Sequence, residues 1–166
     1  MIDSLCDRGH TPYREIGHRA VSHVMDRAGI AYTQDEVEWL VSRIEALKPF
    51  PDAREALHRL HRRYKLAILS NGEPRMLEAA ATSAGIDTLL DTIISVEEIK
   101  IFKVSPRVYH LGLERLQVSR RALGFVSSNS WDINGAASAG LTTFWIQRTA
   151  GEPPEELGFA ASRVVA

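Results

Sequence analysis

The stretch Phe125–Gly140, FVSSNSWDINGAASAG, constrains this chain more than any other. It follows Ala122, Leu123 and Gly124, so the buried strand ALGFV runs straight into a polar turn, Ser127-Ser128-Asn129-Ser130-Trp131-Asp132. A short helix of small residues then closes at Gly140. A strand feeding directly into a helix belongs to a parallel α/β arrangement. Open parallel sheets bind ligands just past the carboxyl ends of their strands. Taken alone, the stretch also reads as an ordinary strand-to-helix loop. Ser and Asn are then caps, and Asp132 complements the helix N-terminus.

The chain leading to it divides in two. Thr11–Ala28 reads as a helix with Pro12 in its first turn, and Gly29 stops it. Thr33-Gln34-Asp35-Glu36 is a capping-box pattern, opening a second helix with an apolar stripe of Val37, Leu40, Val41, Ile44 and Leu47. The sequence breaks at Lys48-Pro49-Phe50-Pro51, and the pattern then alternates. A helix opens at Asp52; a strand runs Lys65–Ser70; a helix runs from Pro74 to Gly85; a strand runs Asp91–Ser95; and Ser105-Pro106 caps another helix. Strands at Ala122–Val126, Thr142–Ile146 and Ser162–Val165 follow. Such alternation predicts an α/β fold with a parallel sheet covered by helices on both faces. The expected organisation is a helical part over residues 1–48 and an α/β part over residues 49–166.

Composition excludes several classes. The net charge of -1 offers no general attraction to nucleic acid or to an anionic membrane. The one basic cluster, His58, Arg59, His61, Arg62, Arg63 and Lys65, ends a helix, where cations suit the dipole and water. No apolar run reaches the roughly 18 residues of a membrane span. The N-terminus has no signal-peptide pattern. A single cysteine, Cys6, rules out an intrachain disulfide and a cysteine-based zinc site, and it suits a reducing, cytoplasmic setting. The spacing of His10, His18 and His23 matches no metal site.

Polar groups recur at successive strand ends. Ser70-Asn71 follows the first strand, Lys103 follows the second after a short connection, and Ser127–Asp132 follows the third. In a parallel sheet these ends share one edge, so a hydroxyl, an amide, an ammonium and a carboxylate are expected at one crevice. Each has an ordinary reading alone: Asn71-Gly72 is a common turn, and most lysines are on the surface. Their joint occurrence favours a site.

AILSNG (67–72), the lysine of IFKVSPRVYHLGLERL (101–116) and FVSSNSWDINGAASAGL (125–141) resemble motifs two, three and four of the haloacid dehalogenase superfamily. Within it they look like the type II, (S)-2-haloacid dehalogenase branch, as does TTFWIQRT (142–149). The resemblance implies a HAD-like, Rossmann-like core with part of a helical cap at the N-terminus. It implies hydrolysis of short 2-haloalkanoic acids to 2-hydroxy acids through an aspartyl ester, without a cofactor. Ser70 would bind the substrate carboxylate and Asn71 the leaving halide. Lys103 would neutralise and orient the nucleophilic aspartate. Tyr109 would support the site, and Trp131 would form an apolar wall of the substrate pocket. Ser127, Asn129 and Asp132 would surround Lys103 and the hydrolytic water. Tyr13 corresponds loosely to a cap aromatic near the halide. The chemistry suits these groups, because a carboxylate attacks the halogen-bearing carbon, an ammonium keeps that carboxylate charged, and amide and hydroxyl donors receive the departing anion.

Two departures stand out. Val104 follows the lysine where the family usually has proline. The family's nucleophile ends an N-terminal apolar strand leading into Asp-x-x-x-Thr, and this sequence has no such run; Met1 and Ile2 before Asp3 are too short for a strand. The expectation is a chain truncated at both ends and inactive by itself. One alternative is a phosphatase of the same superfamily, which would hold magnesium through an acidic residue where this chain has Ser127 and Ser128. No metal site is therefore expected. The other alternative is an inactive fragment or degenerate paralogue. The expected partner is a small 2-haloacid; nucleic acid and membrane are not expected, and a homodimer is left open.

Overall fold

The structure is a computed structural model that describes residues 1–6, 8–149, 151, 153–155 and 157–165. It is an α/β fold whose strands all pair in parallel, in two compact units, Met1–Lys100 and Ile101–Ala166.

The first unit opens with a short helix α1 (Ile2–Leu5), which the sequence pattern does not reveal, and continues with α2 (Tyr13–Ala28) and α3 (Gln34–Ser42). Gly29 ends α2 at φ 67°, the left-handed conformation that glycine adopts without penalty. The capping box forms as the sequence predicts: the Thr33 side chain accepts from the Glu36 amide, and the Glu36 carboxylate accepts from the Thr33 amide at 2.7 Å. Those hydrogen bonds hold the Glu36 carboxyl below its ordinary pKa. The helix does not carry its stripe to Leu47. It tightens into a 3-10 turn over Arg43–Ala46. Val37 and Val41 are its buried residues, and Gly17 of α2 lies close enough to Val41 that a Cβ there would stand 3.4 Å from it.

Helix α4 (Ala53–His61) and strand β1 (Ala67–Ser70) follow. The basic cluster of His58, Arg59, His61, Arg62, Arg63 and Lys65 is exposed. Helix α5 (Pro74–Ala84) starts on proline and buries Met76, Leu77, Ala81 and Ala84. Strand β2 (Thr92–Ser95) pairs with β1 in register, Ala67 opposite Thr92 and Ser70 opposite Ser95.

The second unit holds α6 (Pro106–Leu116), β3 (Gly124–Ser127), α7 (Ser130–Ser138), β4 (Thr142–Ile146) and β5 (Arg163–Val165). The three strands form one sheet in the order β3-β4-β5. Its core includes Phe102, Val108, Tyr109, Leu111, Phe125, Ile133, Ala136 and Trp145. Ser105 precedes α6 but makes no side-chain cap hydrogen bond, and neither does Asn129 before α7. The capping role expected of these two residues is thus not played by their side chains; Pro106 supplies the preset backbone at the start of α6.

Residues 153–155 and 157–165 are almost wholly exposed. Polar side chains hold this segment. The Asn134 amide oxygen accepts from the Phe159 amide at 3.2 Å, and the Ser130 hydroxyl accepts from the Glu155 amide at 3.2 Å. The Thr143 amide donates to the Ser162 hydroxyl at 3.0 Å, and the Ser162 amide donates to the Thr143 hydroxyl at 2.9 Å. Asn134, Ser130 and Thr143 are all buried, so each hydrogen bond also satisfies a group that water cannot reach.

Candidate active site

The polar turn predicted from the sequence is where β3 hands the chain to α7. Asp132 sits in the first turn of α7 and is 4 % exposed. Lys103 lies just before α6, and its ammonium Nζ donates to Asp132 Oδ2 at 2.8 Å. The Tyr109 hydroxyl, from the first turns of α6, donates to Asp132 Oδ1 at 2.8 Å. Two donors thus take one oxygen each of a single buried carboxylate.

Packing holds this arrangement. Phe125 of β3 meets the Tyr109 ring edge-on, with centroids 5.4 Å apart and planes at 89°. The same Phe125 ring lies 5.0 Å from Lys103 Nζ, so its face adds attraction for the cation. Gly135, one turn along α7 from Trp131, has no room for a side chain, because a Cβ there would overlap the Tyr109 hydroxyl and approach Val104 Cβ to 2.9 Å. The Lys103–Val104 peptide bond is cis.

The electrostatics follow from burial. Burial pushes the Lys103 ammonium below its ordinary pKa, and the charge and hydrogen bond of Asp132 push back. Burial also holds the Tyr109 hydroxyl well above the usual tyrosine range, and the adjacent Asp132 charge and hydrogen bond act in the same direction. The tyrosine is therefore a fixed donor. The lysine is a cation in a poorly solvated place, where its field acts strongly on a nearby anion.

The remaining predicted residues fall as follows. Ser127 ends β3, half-buried, and its hydroxyl accepts from the Asn129 amide at 3.1 Å. Asn129 is exposed, and Trp131 is half-buried. Tyr109 is fully buried and reaches Asp132. Ser70 and Asn71 belong to the first unit, at the end of β1, where the Gly72 amide donates to the Ser70 hydroxyl at 3.2 Å. Among the described residues no group of three or more His, Cys, Asp or Glu side chains could hold a metal ion. No helix among them is long and apolar enough to cross a membrane. Sequence reasoning missed Phe125, Gly135 and Trp145, whose indole Nε1 donates to the Ser128 carbonyl at 3.1 Å. A glycine inside a helix of small residues was the one available signal, since it marks a close approach.

Residues 10–140 match the family model for a haloacid dehalogenase-like hydrolase. The chain belongs to the haloacid dehalogenase-like hydrolases. It is 40% identical over 134 residues to "(S)-2-haloacid dehalogenase 4A" of Burkholderia cepacia, covering 80% of this chain and 55% of that protein. It is 43% identical over 113 residues to an (S)-2-haloacid dehalogenase of Pseudomonas sp. strain YL, covering 68% of this chain and 48% of that protein. The chain thus spans about half the length of these two curated relatives. A crystal structure of an L-2-haloacid dehalogenase superposes with a TM-score of 0.92 at 34% identity, covering 98% of this chain and 73% of that one. The Xanthobacter autotrophicus L-2-haloacid dehalogenase with chloropropionic acid covalently bound superposes with a TM-score of 0.90 at 27% identity, covering 99% and 75%. The chain therefore shares the fold of the haloacid dehalogenase-like hydrolases over nearly its whole length.

Proposed function

We propose that these residues serve the hydrolytic dehalogenation of short 2-haloalkanoic acids to 2-hydroxy acids through an aspartyl ester. The observation that carries this reading is the buried Lys103–Asp132–Tyr109 group. It is an ammonium fixed by one carboxylate and kept from water, the setting in which it can hold a second, attacking carboxylate in its charged form. The names of the relatives, (S)-2-haloacid dehalogenases at 40% and 43% identity, support the same substrate class.

In this reading Asp132 orients Lys103, and Lys103 neutralises the nucleophile. Ser127 and Asn129 lie beside the water that cleaves the ester, and Trp131 is an apolar wall for the substrate. Ser70 receives the substrate carboxylate, and Asn71 receives the halide. Residues 1–48 act as a helical cap portion and 49–166 as the core. Among the described residues Asp3 does not take the nucleophile's place, since it lies in α1 and not at a strand end, and in this reading the chain by itself is inactive. The reaction needs no magnesium: Ser127 and Ser128 stand where a phosphatase of the superfamily would place an acidic ligand, and a haloacid carries no phosphoryl charge to offset. A cytoplasmic setting fits the lone, exposed Cys6. Exposed Val24, Ile30 and Trp39 of the helical part support a homodimer, to be read by sedimentation.

The test joins an apolar strand ending in Asp-x-x-x-Thr to the N-terminus of residues 1–166 and follows chloride release from 2-chloropropionate, beside the unmodified chain. Release is expected only with the strand present and should be nearly abolished by Lys103→Met. Turnover of about 1–10³ per second by the unmodified chain would place a nucleophile within it. Magnesium-dependent phosphate release from an aryl phosphate would favour the phosphatase reading instead.

A further inference from the structure

The turn after β1 is tied to the N-terminal segment by an unbroken run of hydrogen bonds within the first unit. His10 Nε2 lies 2.7 Å from Glu97 Oε1. The Glu97 amide donates to the Ser95 hydroxyl at 3.1 Å, and that hydroxyl donates to the Gly72 carbonyl at 2.7 Å. The Gly72 amide donates to the Ser70 hydroxyl at 3.2 Å. Ser95 is 7% exposed and stands opposite Ser70 in the β1–β2 register. A second tie runs alongside, as the Arg14 amide in the first turn of α2 donates to Glu73 Oε1 at 2.9 Å.

The directions of these bonds matter. A hydroxyl has one proton to give. Ser95 spends its proton on the Gly72 carbonyl, which fixes the peptide between Gly72 and Glu73. Ser70 accepts from Gly72, so its own proton is the one it can give to an anion. Gly72 is buried, and a Cβ there would come within 2.8 Å of Leu77 Cδ2, so the turn is confined on its other side as well.

We propose that Ser95, and His10 acting through Glu97, are positioning residues that hold the Ser70–Gly72 turn with its hydroxyl proton directed at a substrate carboxylate. The role given to Ser70 rests on the dehalogenase reading above. The positioning itself does not. Neither Ser95 nor His10 touches substrate; both act through the backbone of Gly72.

The experiment uses the 166-residue chain labelled with 15N. Amide hydrogen exchange is read at Gly72 and Glu73, with Ile93 and Ile94 of β2 as internal references. Ser95→Ala should raise exchange at Gly72 and Glu73 about tenfold while leaving β2 unchanged, and Ser95→Thr, which keeps the hydroxyl, should restore it. His10→Ala should shift the same two amides in the same direction. Unchanged exchange at Gly72 in Ser95→Ala, or an equal rise across β2, overturns the proposal. Titration with 2-chloropropionate separates it from the functional reading. Shifts at the Ser70–Gly72 amides that weaken about tenfold in Ser95→Ala and recover in Ser95→Thr support both. Absence of any shift in the unaltered chain removes the carboxylate role of Ser70, and the exchange data still decide the positioning.

Discussion

Lys103 Nζ stands 2.8 Å from Asp132 Oδ2, with only 8% of the lysine side chain and 5% of the aspartate side chain exposed. A pair so enclosed gains little over a well-packed apolar pair, but it is costly to break from one side. Lys103→Met should therefore destabilise the chain by about 3–5 kcal/mol, because Asp132 keeps a buried charge. The double variant Lys103→Met, Asp132→Asn should recover part of that loss. Urea unfolding of the two variants checks this; equal losses would show that the pair is not coupled.

Tyr109 gives a prediction at alkaline pH. Its folded pKa is raised, so above about pH 10, where a free tyrosine ionises, the unfolded chain releases a proton that the folded chain keeps. Stability from this group is thus full below that pH and falls as pH rises. Lys103 acts in the opposite sense: its folded pKa is lowered, so the unfolded chain binds more protons just below 10.5 and stability rises with pH there. The chain has four tyrosines. Tyr109→Phe should leave the phenolate absorbance that develops before alkaline unfolding unchanged and reduce only the part that appears with unfolding. A reduction before unfolding would show that Tyr109 ionises in the folded chain.

Gly135→Ala should cost about 1–3 kcal/mol, since the added methyl meets the Tyr109 hydroxyl and Val104. The companion variant Gly135→Ala, Tyr109→Phe should be milder than the sum of the two single changes, because one clash is relieved. Thermal unfolding measures both, and strict additivity would show that the methyl is accommodated elsewhere.

Thr33→Ala should cost about 1 kcal/mol by removing one half of the capping box, and Thr33→Ser should cost little. The loss is expected as reduced protection of the first-turn amides of α3, read by hydrogen exchange. Full protection in Thr33→Ala would make the box incidental.

Magnesium at millimolar concentration should leave the amide resonances of Asp132 and its neighbours unmoved. A saturable shift centred on Asp132 would reveal a cation site and reopen the phosphatase reading.

Much of this was legible in the residues. Thr33 with Glu36, Pro74 with Gly85, and the apolar runs at β1, β3 and β4 each combine a local signal with the right spacing, so propensity and packing agree. The Lys103–Asp132 contact was legible because each residue follows the carboxyl end of a parallel strand, Lys103 after β2 and Asp132 after β3, although those two strands belong to different sheets. Other features depend on tertiary packing, which local pattern does not encode. Phe125 read only as a strand residue, although its ring packs on Tyr109 and lies near Lys103. Ser95 read only as the end of a strand; its hydroxyl matters because β2 pairs with β1 in one register and no other. The short α1 carries too little periodicity to be seen at all.

The C-terminal segment shows how far a site can extend along a chain. The described residues of this segment, 153–155 and 157–165, are held by contacts of Glu155, Phe159 and Ser162 to Ser130, Asn134 and Thr143 rather than by buried apolar side chains of their own. Cutting this segment away would strip partners from three buried polar groups, at roughly 1–3 kcal/mol each. Two of those groups sit on α7, within two residues of Asp132. A protease acting at the tail would therefore be felt at the carboxylate some twenty residues away in sequence, as though α7 itself had been mutated.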